Sequence, residues 1–368
     1  MKVALVHEWL TVIGGSENVF KEIASLYPQA DIFTLVARDE TIKTMGLEQR
    51  KVTTSFIQNL PFAKTKYRNY LPFFPIAIEQ FDLTSYDLII SSSHAVAKGV
   101  LTHSGQVHVC YCHSPMRYAW DLYHQYIKES GLDRGIKGMF AKLVLHRIRQ
   151  WDINSINRVD YFISNSNYIG KRIKKVYNRE SVTIYPNVAV DDFELSEVRD
   201  NYYFTCSRFV PYKKIDLIVA AFAAMPDKEL YIIGDGPDFR KIKKIATANV
   251  HLLGYQPFTV LKDYLSRAKA FVFAAEEDFG IIPVEAQASG TPVIAYGKGG
   301  SLETVINNKT GIFFYEQNPQ AIIDAVTQFE QNIHNFNHRD IATHASKFSL
   351  QQFKQKFSAY LADVSNNV

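Results

Sequence analysis

The amino-acid sequence predicts an α/β fold made of two Rossmann-like domains, and three observations lead there. The chain has 368 residues, room for about two domains at roughly 150 residues each. An apolar strand (Lys2 to His7), a glycine turn (Gly14-Gly15) and a helical stripe (Val19, Phe20, Ile23, Leu26) open it, which is the first unit of a doubly wound half. The same succession restarts at Tyr202 to Ser207, after the polar and acidic stretch VAVDDFELSEVRD at 188–200, read as a linker. The expected division is an N-terminal domain over 1–190, a C-terminal domain over 191–345, and a terminal helical segment over 346–368.

Composition narrows the class. With 47% hydrophobic and 21% charged residues, the chain reads as a soluble globular protein with two sizeable cores. No apolar run approaches the roughly 20 residues of a membrane span. The opening MKVALVHEWLTVIGG is interrupted by Glu8 and reads as a first strand rather than a secretory signal. Three cysteines suggest a reducing compartment without a disulfide framework, so a cytoplasmic location is expected. The net charge of +4 suits anionic ligands or an anionic membrane surface, and the sequence lacks the arginine-rich, aromatic-interleaved run of an RNA binder. Nucleic acid is therefore not an expected partner.

Taken in order, Ser16 is the expected N-cap of the first helix. Gly14 and Gly15 let a ligand come close to the backbone, or simply make a tight turn. Asp31 to Val36 is the next strand. Residues 56–78, FIQNLPFAKTKYRNYLPFFPIAI, combine aromatics with Lys64, Lys66 and Arg68, and their three prolines argue against one continuous helix. Such a segment suits either a membrane interface or internal packing. Tyr86 to Ile90 is a strand leading to Ser91-Ser92-Ser93-His94. Val107 to Cys112 is another, and it delivers His113 to a strand end, where open α/β sheets bind ligands. A structural histidine is the other reading of His113. Cys110 and Cys112 share one face of that strand with His113 on the other, and no second ligand pair has zinc spacing, so no metal is expected. Residues 134–151, RGIKGMFAKLVLHRIRQW, form a basic helix whose Met139, Phe140, Leu143, Val144 and Ile148 make one broad apolar face. It fits a membrane surface or the core of its domain.

In the second half, Arg208 and Lys213 follow the strand at 202–207 in S-R-F-V-P-Y-K-K-I-D. Two fixed cations at a strand end could clamp a diphosphate. Leu230 to Ile233 and Val250 to Leu253 are further strands, the latter ending at Gly254 and Tyr255. The stretch 271–290, FVFAAEEDFGIIPVEAQASG, reads as strand, acidic turn and helix, with Pro283 in the first helical turn and Gly290 as its stop. Glu277 and Glu285 have seven residues between them. The helix start near Gly280, Ile281 and Ile282 offers free N–H groups to a phosphate. Ser349-Leu-Gln-Gln352 looks like a capping box, and Phe353, Phe357, Tyr360, Leu361 and Val364 then fall on one helix face.

The segment E-D-F-G-I-I-P-V-E, followed by A-Q-A-S-G-T-P-V-I-A, resembles the E-x7-E motif of retaining glycosyltransferases of family 4, which have the GT-B fold. S-S-S-H-A-V-A-K-G-V at 91–100 and Y-C-H-S-P-M-R-Y-A-W-D at 111–121 resemble the bacterial mannosyltransferases of O-antigen and exopolysaccharide synthesis in that family. The resemblance implies two Rossmann-like domains facing across a cleft, with the last helix returning to the N-terminal domain. It implies a nucleotide diphosphate sugar, best matched by GDP-mannose, as donor and a glycan or polyprenyl-linked glycan as acceptor, with UDP-hexose transfer or a non-catalytic partner subunit as alternatives. Arg208, Lys213 and the N–H groups at Gly280, Ile281 and Ile282 would hold the diphosphate. Glu285 would take the ribose hydroxyls, while Gly254, Tyr255 and Phe279 would lie near the base. His113 and Glu277 would contact the transferred sugar, and Gly14 and Gly15 would face the donor. No metal or other cofactor is implied. Work on a lipid-linked acceptor would bring the protein to the inner face of the cytoplasmic membrane.

Overall fold

Among the described residues the strands all pair in parallel, and the central ones are buried on both faces, as expected of sheets covered by helices on each side. The computed structural model describes residues 1–366 and resolves two compact units: 1–185 together with the residues from Lys354 onward, and 186–353.

In the first unit the strands are β1 (Val3–Leu10), β2 (Asp31–Ala37), β3 (Val52–Thr54), β4 (Leu88–Ser93), β5 (Val107–Cys112), β6 (Tyr161–Ser164) and β7 (Ser181–Thr183). Their order across the sheet is β3-β2-β1-β4-β5-β6-β7. β1 is buried along its whole length. Its neighbours take opposite directions of winding, so the carboxyl ends of β1 and β4 flank the point where strand order reverses, which is where such sheets bind ligands. The prolines at 61, 72 and 75 break residues 56–79 into a series of short turns ending in the helix Phe74–Glu79. Phe74, Ala77 and Ile78 from that helix join Trp9, Phe33, Ile89 and Ile148 in one apolar cluster.

The second unit repeats the scheme with β8 (Tyr202–Cys206), β9 (Glu229–Ile233), β10 (Val250–Leu252), β11 (Ala270–Phe273), β12 (Val293–Tyr296) and β13 (Gly311–Phe314). The order is β10-β9-β8-β11-β12-β13, with the reversal between β8 and β11. Phe222, Leu230, Val272, Ile294, Ile312 and Phe329 lie in its core.

Three expectations change. Residues 188–200 are not a free linker. The Arg199 guanidinium donates to the carbonyls of Ser196 and Ser289 and to the Thr291 hydroxyl, at 2.6–2.8 Å, and Arg267 pairs with Asp200 at 2.8 Å. The acidic run is therefore laced onto the second unit. The first helix, Gly15–Leu26, is capped at Gly14 and not at Ser16. Glu17 accepts from the Gly14 N–H at 2.9 Å and from the Ser16 hydroxyl at 3.0 Å. Third, the apolar residues of the helix Gly135–Asn154 do not share one face. Leu145 and Ile148 are buried while Met139, Phe140 and Leu143 are exposed.

In the final helix, Leu350–Asn366, the Ser349 hydroxyl accepts from the Gln352 N–H at 3.3 Å. Phe353, Phe357, Leu361 and Val364 are buried along one face. Within the first unit Phe357 meets Tyr111, with ring centroids 6.3 Å apart, and Lys354 pairs with Glu22 at 2.9 Å. Among the described residues no helix is long and apolar enough to cross a membrane.

Candidate functional site

At the switch point of the second unit, the chain leaves β8 through Arg208, which is exposed, and turns through Pro211–Lys213. Lys214 then takes a left-handed conformation, φ +57°, as the cap of the helix Ile215–Ala223. This bend separates the two adjacent lysines. Lys213 is directed to the Glu277 carboxylate, with which it forms an ion pair. The loop carrying Glu277 follows β11 and is fixed by its neighbours. The Gly300 N–H donates to the Glu277 carbonyl at 2.8 Å, Lys298 pairs with Glu276 at 3.1 Å, and Phe279 packs on Phe348 with centroids 5.5 Å apart.

Gly280 has φ +86° at the start of the helix Ile281–Ala288. This is a left-handed conformation that a side chain resists, and it lets the chain turn sharply from the acidic loop into the helix. Ile281 and Ile282 are the first helical residues, so their N–H groups lack intrahelical acceptors. Glu285 sits one turn down and is part-buried. Burial, with the Asp192 carboxylate adding to it, pushes its carboxyl up to about 7. The Cys206 thiol at the end of β8 is likewise pushed up, by burial first and by Glu285 second. Gly254 has φ +68° at the end of β10, and Tyr255 is 83% exposed.

The first unit gathers a second polar cluster at its own switch point. His113 follows β5 directly. Its Nε2 and the Ser92 hydroxyl lie 2.8 Å apart, and its ring meets Tyr111 at 5.1 Å. Burial, then the neighbouring His94 and His7 rings, lower His113 to about 3, so it is a neutral imidazole at physiological pH. His7 Nδ1 lies 3.2 Å from the same Ser92 hydroxyl, and His7 Nε2 lies 3.5 Å from Glu17. Glu17 in turn holds the glycine turn. A side chain on Gly14 would crowd the Glu17 carboxylate, at 3.1 Å. Gly15 begins the helix beside it.

Sequence reasoning did not single out Glu8, Glu17 and His94. Glu8 lies fully buried in β1. It accepts from the Ser93 hydroxyl and the backbone N–H groups of His94, Ala95 and Ala97 at 2.9–3.1 Å, and pairs with His94 at 3.2 Å. Burial pushes its carboxyl up, but the His94 ring and the donated hydrogen bonds outweigh that and hold it well below the usual carboxylate range. Burial lowers His94, and the Glu8 carboxylate overcomes this to raise it. The available signal was a carboxylate interrupting an otherwise apolar strand, VALVHEWL.

Comparison with known proteins bears on both units. Residues 13–192 match the family model described as Glycosyltransferase Family 4, and residues 190–346 match that of the glycosyl transferases group 1. The α-1,3/1,6-mannosyltransferase alg2 of Schizosaccharomyces pombe is 24% identical over 84% of this chain and 70% of its own length. The O-antigen chain mannosyltransferase RfbU of Salmonella typhimurium is 26% identical over 57% of this chain and 61% of its own. With an uncharacterized glycosyltransferase of Methanocaldococcus jannaschii the match is 27% identical and spans half of that relative's length. Among solved structures, Anabaena Alr3699/HepE in complex with UDP superposes with a TM-score of 0.72 over 99% of this chain and all of its own, at 18% identity.

Proposed function

This chain belongs to glycosyltransferase family 4 and has the GT-B fold of two parallel-sheet α/β domains, and from that premise we propose that it transfers a hexose from a nucleotide diphosphate sugar to a glycan or lipid-linked glycan. The observation that carries the proposal is the cluster at the second switch point. Arg208, Lys213, Glu277, the helix start at Gly280–Ile282 and Glu285 all lie at the carboxyl ends of β8 and β11 or just beyond them. Transfer of a glycosyl group leaves a diphosphate that gains negative charge as the anomeric bond breaks. Two cations and a helix N-terminus suit that charge, and preorganised donors of this kind each lower a barrier by about 2.7–4 kcal/mol.

In this reading Arg208, Lys213 and the Gly280, Ile281 and Ile282 N–H groups hold the diphosphate. Glu285 accepts from the ribose hydroxyls, Gly254, Tyr255 and Phe279 lie beside the base, and Glu277 orients the sugar. His113, a neutral imidazole, is the candidate for a hydrogen bond to a sugar hydroxyl, and Gly14 and Gly15 belong to the same donor-facing set. The anomeric configuration is retained and no metal takes part.

We take GDP-mannose as the donor, since relatives matched along the chain include mannosyltransferases from Schizosaccharomyces pombe and Salmonella typhimurium. UDP-hexose is the second reading, because the Anabaena protein of similar fold has been solved with UDP-glucose. Thermal shift with GDP, UDP, ADP and their sugar conjugates, with and without EDTA, separates the two, since a ligand of the native state raises the melting temperature by mass action. A shift with GDP and GDP-mannose alone, unchanged by EDTA, supports the reading. A UDP-selective shift replaces the donor, dependence on metal removes the metal-free mechanism, and no shift with any nucleotide defeats the proposal.

A further inference from the structure

His7 on β1 and Ser92 on β4 are register partners, and Ser92 in turn pairs with Tyr111 on β5. Paired residues of neighbouring strands share a face, and alternate residues return to it. His113, just past Tyr111 on that alternation, therefore comes to the side that His7 and Ser92 occupy. The helix Gly15–Leu26 covers this side, with Phe20 stacked on the His7 ring at 4.8 Å and Glu17 beside it. His7 and Ser92 are both buried, so their polar atoms have to satisfy one another.

The partners decide which atoms carry protons. His7 Nδ1 lies 3.1 Å from the Ser92 carbonyl and 3.2 Å from the Ser92 hydroxyl. A carbonyl oxygen only accepts, so Nδ1 carries a proton and donates to both. His7 Nε2 faces Glu17 at 3.5 Å. Burial raises the Glu17 carboxyl, and the His7 ring outweighs burial and lowers it to about 2, so an ionised carboxylate holds the ring in this orientation. The Ser92 hydroxyl thus accepts from His7 and has its own proton to give. Among the described residues its other partner is His113 Nε2 at 2.8 Å. The neighbouring Glu8 and His94 pair with each other at 3.2 Å and do not compete for it. The hydroxyl therefore donates to Nε2, and the neutral His113 ring carries its proton on Nδ1.

We propose that Glu17, His7 and Ser92 are positioning residues that lock His113 in the Nδ1–H tautomer, so that it meets the transferred sugar as a hydrogen-bond donor. As a donor the ring fixes one sugar oxygen in place. In the opposite tautomer Nδ1 would be bare, could only accept, and would repel an oxygen that has no proton to give. Glu17 also ties this relay to the glycine turn, because it accepts from the Gly14 N–H at 2.9 Å. The sugar contact rests on the proposed function. The tautomer does not, since it belongs to the unliganded first unit.

The test is NMR of the unliganded full chain labelled at the histidine ring nitrogens, whose shifts separate the two neutral tautomers and the imidazolium. The signals missing from His113→Gln identify the ring. The wild type is expected to show Nδ1–H, Ser92→Thr to keep it, and Ser92→Ala and His7→Phe to admit the Nε2–H form. An Nε2–H tautomer or an imidazolium in the wild type would overturn the proposal, as would an unchanged tautomer in either Ser92→Ala or His7→Phe. Ser92→Ala leaves His7 bonded to the backbone carbonyl, so its melting temperature serves as the folding control. Initial rates of donor turnover then read the consequence. Ser92→Ala is expected to lower kcat about tenfold, the worth of one hydrogen bond, with KM little changed and Ser92→Thr restoring the rate. Ser92→Ala protein as fast as the wild type would overturn the positioning role. A wild type that turns over no donor would defeat the proposed function and with it the sugar contact, the tautomer being decided by NMR alone.

Discussion

Lys213 and Glu277 neutralise each other in the second unit, and a diphosphate would have to draw the lysine away from the carboxylate. Under the proposed function Glu277 would oppose nucleotide binding while it orients the sugar. Glu277→Gln is expected to bind the nucleoside diphosphate as tightly as the wild type or several-fold more tightly, yet to turn over about a hundredfold more slowly, a split between binding and rate that marks a role in the transition state. Calorimetry and initial rates on one preparation measure both. Glu285 gives a pH signature. Burial pushes its carboxyl up to about 7, and under the proposed function ribose hydroxyls would donate to the ionised form and favour it. Nucleotide binding should release protons and tighten as pH rises from 6 to 8. Glu285→Gln should bind weakly with no such dependence, which titration in buffers of different ionisation enthalpy reads directly. For stability the sign is opposite. A carboxyl raised above its unfolded value of 4.5 stabilises the fold below that pH and loses the contribution as pH rises toward 7. Removing its charge with Glu285→Gln should therefore raise the melting temperature more at pH 8 than at pH 5.

At the scale of elements, the turn from β11 into the helix Ile281–Ala288 depends on Gly280. Gly280→Ala must hold a side chain at φ +86°, a conformation costing roughly 1–2 kcal/mol. The nearest atoms to the added carbon lie at 3.5 Å on Pro283, which is ordinary contact, so the strain is in the backbone. Urea unfolding is expected to show a loss of that size, and any further loss of nucleotide affinity reports displaced N–H groups. This turn was legible in the sequence because strand, glycine, proline and helix succeed one another locally. The cap at Gly14 was not. Ser16 has the right chemistry, but the Glu17 carboxylate takes the Gly14 N–H and the Ser16 hydroxyl together. Glu8 was illegible for a related reason, since its hydrogen-bond partners lie 85–89 residues away in sequence. The helix Gly135–Asn154 shows the limit of periodicity, for alternating coverage of its apolar residues follows from what packs beside it.

The whole molecule repeats one plan, a parallel sheet whose strand order reverses beside its first strand, and each reversal carries a polar cluster. That plan was readable from alternating strands and helices, and the candidate set Arg208, Lys213, Glu277 and Glu285 was proposed from strand ends and the family resemblance. The way charges pair at the two reversals was not, because pairing depends on loops that meet only in the folded chain, such as 276–280 with 297–300. The claim on which the account rests is that Arg208 and its neighbours stabilise a departing nucleoside diphosphate. The measurement that tests it most directly is the rate at which GDP is released from GDP-mannose, and UDP from UDP-glucose, by the wild type and by Arg208→Ala. The account predicts release by the wild type, faster with GDP-mannose, and a fall of about 10²–10³ in Arg208→Ala with an unchanged melting temperature. Wild-type protein that releases neither nucleotide, or an Arg208→Ala variant that matches it in rate, would contradict the account.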